Sequence, residues 1–195
     1  MNEPDKNRAV IRLQWLTVLW MTVEFAIAII FGIKARSLAL AAFGGDSAIE
    51  LFSAVVVLRR FYVGEHAERN ATRIAAVLLY VLAAFVLVSS AAALLHHNLR
   101  AEPSYPGIAL LAAAALIMPW LSRQKRALAA ATCSSALKAD AAQSSICAWM
   151  SWIALGGLAV NAIFHLPWVD SAAALLLVPL IVYEANAARK GDACC

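Results

Sequence analysis

The run Ser37-Leu-Ala-Leu-Ala-Ala-Phe-Gly-Gly-Asp46-Ser-Ala-Ile-Glu50-Leu-Phe-Ser-Ala54 decides how this chain is read. It is apolar enough to enter a bilayer, yet two carboxylates stand in its middle. Asp46 and Glu50 are four residues apart, so on a helix they share one face, one turn above the other. A charge at the bilayer centre costs about 2.5 to 3.5 kcal/mol on insertion scales, and such residues normally have a partner. A cation is the expected one.

Composition supports the membrane reading. Of 195 residues, 63% are hydrophobic and 14% charged, with a mean hydropathy of +0.75. A soluble domain of this size could not hide that much apolar surface, so lipid is the expected solvent. A helix needs about 20 mostly apolar residues to span the hydrocarbon. Six segments meet that need: 13–33, 37–58, 74–96, 106–121, 128–160 and 168–188. The fourth is short and the fifth is long. The expected fold is an all-α membrane protein: an N-terminal tail over 1–12, six transmembrane helices over 13–188 and a short tail over 189–195. The first span lacks a small-residue cleavage signature and reads as a retained helix.

Basic residues sort by side. With the N-terminus inside, the inner face carries Lys6, Arg8, Arg12, Arg59, Arg60, Arg69, Arg73, Arg123, Lys125, Arg126, Arg189 and Lys190. The outer loops carry Lys34, Arg36 and Arg100. This asymmetry places both termini in the cytoplasm. The net charge of +4 then follows from topology, with anionic lipid as its neighbour and no call for nucleic acid. The expected location is the plasma (inner) membrane. No nucleotide-binding loop occurs, so ATP is not the expected energy source.

The fifth span is too polar to face lipid. Asp140, Gln143, Ser144 and Cys147 recur at steps of three and four and form one stripe. The second and fifth spans run in opposite directions. Side by side, they would set Asp46 level with Cys147 and Glu50 level with Gln143. Four donors on two facing helices can close around one ion.

This arrangement resembles the cation diffusion facilitator family over nearly all of the membrane part. The resemblance rests on the approach to Asp46 and Glu50 from Ser37, on Ala136-Leu-Lys-Ala-Asp-Ala-Ala-Gln143 leading to Cys147, and on Pro167-Trp-Val-Asp-Ser-Ala-Ala-Ala-Leu through Tyr183-Glu. It implies six spans with cytoplasmic termini and a metal site shared by the second and fifth. The family's usual site pairs acid-x3-acid with His-x3-Asp. This sequence has Glu at 50, Gln at 143 and Cys at 147 instead. The family's cytoplasmic metal-binding and dimerising domain has no counterpart in the sequence, so any homodimer is expected to be held through transmembrane helices.

The resemblance implies metal/proton exchange, with no chemical conversion and no cofactor beyond the transported ion. Two carboxylates and a thiol suit Zn²⁺ first, Cd²⁺ or Co²⁺ next, and Mg²⁺ or Ca²⁺ little. Ligands coordinate in deprotonated form, so metal entry would release protons. Gln143 is the weakest donor and would assist. Asp140 would be an inner waypoint for the ion. The competing readings are a metal-binding regulatory scaffold without transport, transport of an organic cation, and acids paired structurally with Lys138 or neighbouring hydroxyls and amides.

Other residues carry less weight. Lys138 is expected to snorkel or to pair with Asp140. Glu24 reads as a packing or cavity group in the first span. Asp170 has the favourable place for an acid near a helix N-terminus. His66, His96 and His97 read as surface residues, Cys133 as a buried packing cysteine, and Cys194-Cys195 as either a tail able to capture soft metal or merely reactive tail residues.

Overall fold

The computed structural model describes residues 3–63, 68–96 and 101–190. His66, His97 and the Cys194-Cys195 pair lie outside them. Among the described residues the chain forms six α-helices and no strand: α1 (Glu3–Ala35), α2 (Leu38–Val63), α3 (Glu68–His96), α4 (Tyr105–Thr132), α5 (Ser135–Phe164) and α6 (Trp168–Lys190). All six contain a stretch long and apolar enough to cross a membrane. Helices meet their backbone hydrogen-bonding needs internally, which lipid demands. By length and composition this is a multi-pass membrane protein.

Two boundaries differ from expectation. The fourth helix is not short: α4 has 28 residues and continues through Ser122-Arg-Gln-Lys-Arg126 to Thr132. That polar stretch looks like a loop in sequence, but its inward side chains pack against α5. The next residue, Cys133, is left-handed (φ 49°), and its N–H bonds to the Ala129 carbonyl. Ser134 then caps α5 by accepting from the Leu137 amide. Cys133 is therefore an exposed corner residue rather than a buried packing cysteine. A hydroxyl acceptor at an N-cap and a left-handed residue at a C-cap satisfy the orphan groups of helix ends.

The ends of the bundle are set by hydrogen bonds. The Glu102 amide donates to the Ala35 carbonyl at 2.8 Å, and Asn161 Nδ2 to the Ala101 carbonyl at 3.0 Å. Asp170, in the first turn of α6, accepts from Ser37 Oγ at 2.5 Å and from the Leu38 amide at 2.7 Å. It thus caps α2 as well as favouring its own helix N-terminus. At the opposite end Val10, Val57, Ala129 and Leu137 form a small apolar cluster. Successive helices therefore run antiparallel, and α1 begins at the end where α6 finishes.

Small residues bring the helices close, as expected in lipid. A methyl on Gly157 would meet Ala173 Cβ at 2.5 Å, and one on Gly44 would meet Ala28 Cβ at 3.0 Å. Leu19, Val81, Val88, Leu116 and Ile163 face outward. Exposed aromatics mark both ends: Trp15 and Tyr62 at one, Tyr105 and Trp168 at the other. Such girdles sit at the headgroup level of a bilayer. Pro119 and Pro179 lie inside continuous helices.

Candidate functional site

Polar residues from five helices meet in the bundle core. Gln14 and Glu24 come from α1, Asp46, Ser47 and Glu50 from α2, Lys125 from α4, Asp140, Gln143, Ser144 and Cys147 from α5, and Glu184 from α6. All are buried, and Glu24, Asp46, Glu50, Lys125, Asp140 and Cys147 are each 0% exposed. A large apolar cluster that includes Leu40, Phe43, Leu111 and Leu158 closes the Ser37 end. The Val10–Val57–Ala129–Leu137 cluster closes the other.

The core divides into two parts. The first is built around Lys125. Its Nζ lies 2.9 Å from Asp140 Oδ2, 3.4 Å from Glu50 Oε1 and 2.8 Å from Ser144 Oγ. Ser144 also donates to Glu50 Oε1, and Gln14 Nε2 donates to Asp140 Oδ2 at 2.7 Å. An ammonium has three donors and no acceptor; here three oxygens receive them. The α4–α5 contact is reinforced by Ser122, which donates to the Ala141 carbonyl at 2.9 Å. Arg126 and Ser122 both bond Ser145 at its edge.

The second part has no basic residue of its own. Ser47 Oγ donates to Glu24 Oε1 at 2.7 Å, and Cys147 Sγ approaches the same oxygen at 3.7 Å. Asp46 stands within electrostatic reach of Glu50, Glu184 and Cys147. Both oxygens of Asp46 and both of Glu184 are buried with no well-placed N–H or O–H donor, as is Glu24 Oε2, and the two carboxyl groups sit within reach of each other, of Cys147 and of Gln143. Buried polar atoms are normally paired, so a concentration of orphans in one place needs an explanation.

The sequence-predicted residues are brought together, with changed partners. Asp46, Glu50, Gln143 and Cys147 all reach the core. Glu50 engages Lys125 and Ser144. Cys147 approaches Glu24 rather than facing Asp46 alone. Asp140 pairs with Lys125 and Gln14, while Lys138 is exposed. Among the described residues, no three His, Cys, Asp or Glu side chains are gathered closely enough to hold a metal as they stand.

Two central residues were missed in the sequence. Lys125, assigned there to the inner face, is fully buried, because α4 extends past it and turns it toward α5. Glu184 was read only as part of the last span. Helical phase carries the signal for both. Lys125 continues the buried series Leu111, Ala114, Met118, Leu121 and Ser122 on α4. Glu184 continues Asp170, Ala174, Leu177 and Ile181 on α6. Each is a charge in phase with a core face, not with a polar one.

No protein-family model matches this chain, and a search of curated proteins finds no match.

Proposed function

We propose that the chain is a secondary transporter that moves a divalent transition metal out of the cytoplasm in exchange for protons. Zn²⁺ is the favoured cargo, with Cd²⁺ and Co²⁺ next. One observation carries this reading: the carboxyl groups of Asp46 and Glu184 are sealed together in a membrane-spanning core with no cationic partner. Removing ionised carboxylates from water costs several kcal/mol each. A dication entering between them offsets that cost.

The Cys147 thiol beside Glu24 adds a soft donor, which favours Zn²⁺ or Cd²⁺ over Mg²⁺ or Ca²⁺. Gln143 is an assisting donor, while Glu50 is taken up by Lys125 and Ser144. Binding draws these groups together from the spread arrangement described above. The same groups take up protons when the metal leaves, because coordination needs their deprotonated forms. Rocking of the helices around this fixed point would expose it to each side in turn. The resemblance to cation diffusion facilitators points the same way.

Exposed Arg8, Arg12, Arg59, Arg123, Arg126 and Arg189 gather at the end where α4 meets α5. The bias of basic residues assigns that end to the cytoplasm, and the plasma (inner) membrane is the proposed location. Helices α1 and α3 have the smallest buried share of their spans, which makes them the faces for a homodimer held within the membrane.

Proteoliposomes test the reading directly. Zn²⁺ and Cd²⁺ flux is measured under an imposed pH gradient for the native chain, Asp46→Asn and Cys147→Ala. Native flux that opposes proton flow and falls in both variants supports it. Metal movement with no opposing pH change removes the antiport. Flux untouched by either substitution removes the site. A second reading, a metal-binding regulatory protein without transport, is favoured by the cation already built into the core at Lys125. It requires metal binding with no net flux.

A further inference from the structure

Lys125 is more than a counter-charge on a helix surface. Its ammonium is fully buried and fully coordinated by oxygens of Asp140, Glu50 and Ser144, drawn from α2 and α5. One oxygen of each carboxylate, Glu50 Oε2 and Asp140 Oδ1, has no hydrogen-bond partner although it is sealed from solvent. Two carboxylates against one ammonium leave the group one negative charge in excess. This is the shape and charge of a cation cage with a monovalent occupant tied to α4.

We propose that Glu50, Asp140 and Ser144 form a second cation-binding position, distinct from the Asp46–Glu184 pair, and that Lys125 is its tethered occupant. The cage lies one turn from the apolar cluster of Val10, Val57, Ala129 and Leu137, on the path from Asp46 to the end of the bundle where α4 meets α5. On the transport reading, an ion leaving or entering by that end would meet the ammonium. The position serves as a relay only if the core is a cation path, as proposed above. The cage itself stands without that reading.

All three caging atoms are oxygens, so a hard dication that tolerates oxygen ligands is the right probe. The experiment is a count of Mn²⁺ bound to purified full-length protein in detergent, from the loss of the free-ion electron paramagnetic resonance signal. Native protein, K125A and the double variant K125A/D140N are compared. The expected result is one more ion per chain in K125A than in native protein, and a return to the native count in K125A/D140N. The native count itself reports on the Asp46–Glu184 pair, so failure of the transport reading changes the baseline but not the increment. A monodisperse K125A with the native count overturns the cage. Should K125A not survive extraction, K125Q replaces it. If neither is monodisperse, recovery by Mn²⁺ or methylammonium supports the cage, and recovery by neither overturns it.

Discussion

Lys125 and Asp46 lie in the same buried core, yet one side is closed by its own chemistry and the other is left open. On the α4–α5 side every donor of the ammonium has an oxygen, and α1 contributes Gln14 to the same carboxylate. On the α2–α6 side Asp46 and Glu184 have each other, Cys147 and Gln143 within reach, and no cation. On the proposed function, the contrast separates structure from function. A buried acid with a tethered cation holds helices together. A buried acid without one is costly to keep charged, so it is held protonated or, on the function proposed above, held for a cation that comes and goes.

Removing the tether should produce the largest effect. Lys125→Ala leaves two buried carboxylates uncompensated, which typically costs about 3 to 5 kcal/mol. The thermal midpoint in detergent should fall steeply, and Asp140→Asn in the same chain should restore part of it. If the double variant is no more stable than the single one, the two residues are not coupled and the contrast fails. Asp46→Asn should do the reverse. It removes a charge with no cationic partner, so stability should hold or rise. Metal flux should nevertheless fall on the order of 100-fold, roughly 2.7 kcal/mol. A large loss of stability in this variant would mean that Asp46 is structural after all.

A third substitution examines an acid that the backbone satisfies. Asp170→Ala removes the acceptor for Ser37 Oγ and the Leu38 amide, and should cost about 2 kcal/mol in thermal unfolding. Its flux per folded molecule should match the native chain. Cys147→Ser sharpens the comparison on the open side. Cd²⁺ flux should drop about tenfold, near 1.4 kcal/mol, with Zn²⁺ affected less, because a hydroxyl is a harder donor than a thiolate. Equal losses for both metals would remove sulfur from the coordination. The smallest effect is expected at the α5 C-cap, where His165 adopts φ 54°. His165→Gly relieves a left-handed non-glycine residue and should stabilise by about 1 kcal/mol. Transport should not change.

Particular residues show how far sequence reasoning reached. Six spans were legible because lipid imposes a length and a composition on every helix that crosses it. Asp46 and Glu50 stood out against their apolar neighbours, and the stripe from Asp140 to Cys147 was legible from its period. Lys125 was hidden because it sits beside Arg123 and Arg126, and one more basic residue there looks like positive-inside bias. Cys133 was misplaced for a related reason. Its apolar neighbours read as continuous span, while the turn depends on one left-handed residue. Glu184 follows Tyr183 near the end of a span, where an acid passes for an interfacial residue.

The sequence by itself determined the solvent, the number of helices and two of the helices that supply acids to the core. Period and hydropathy are local properties, and lipid reads them one helix at a time. Only the tertiary structure decided which acid has a cation and which has none. That choice depends on the rotation of α4 and α6 about their axes and on their register against α2 and α5. Rotation and register follow from packing between helices, such as Gly157 against Ala173, rather than from any one helix alone.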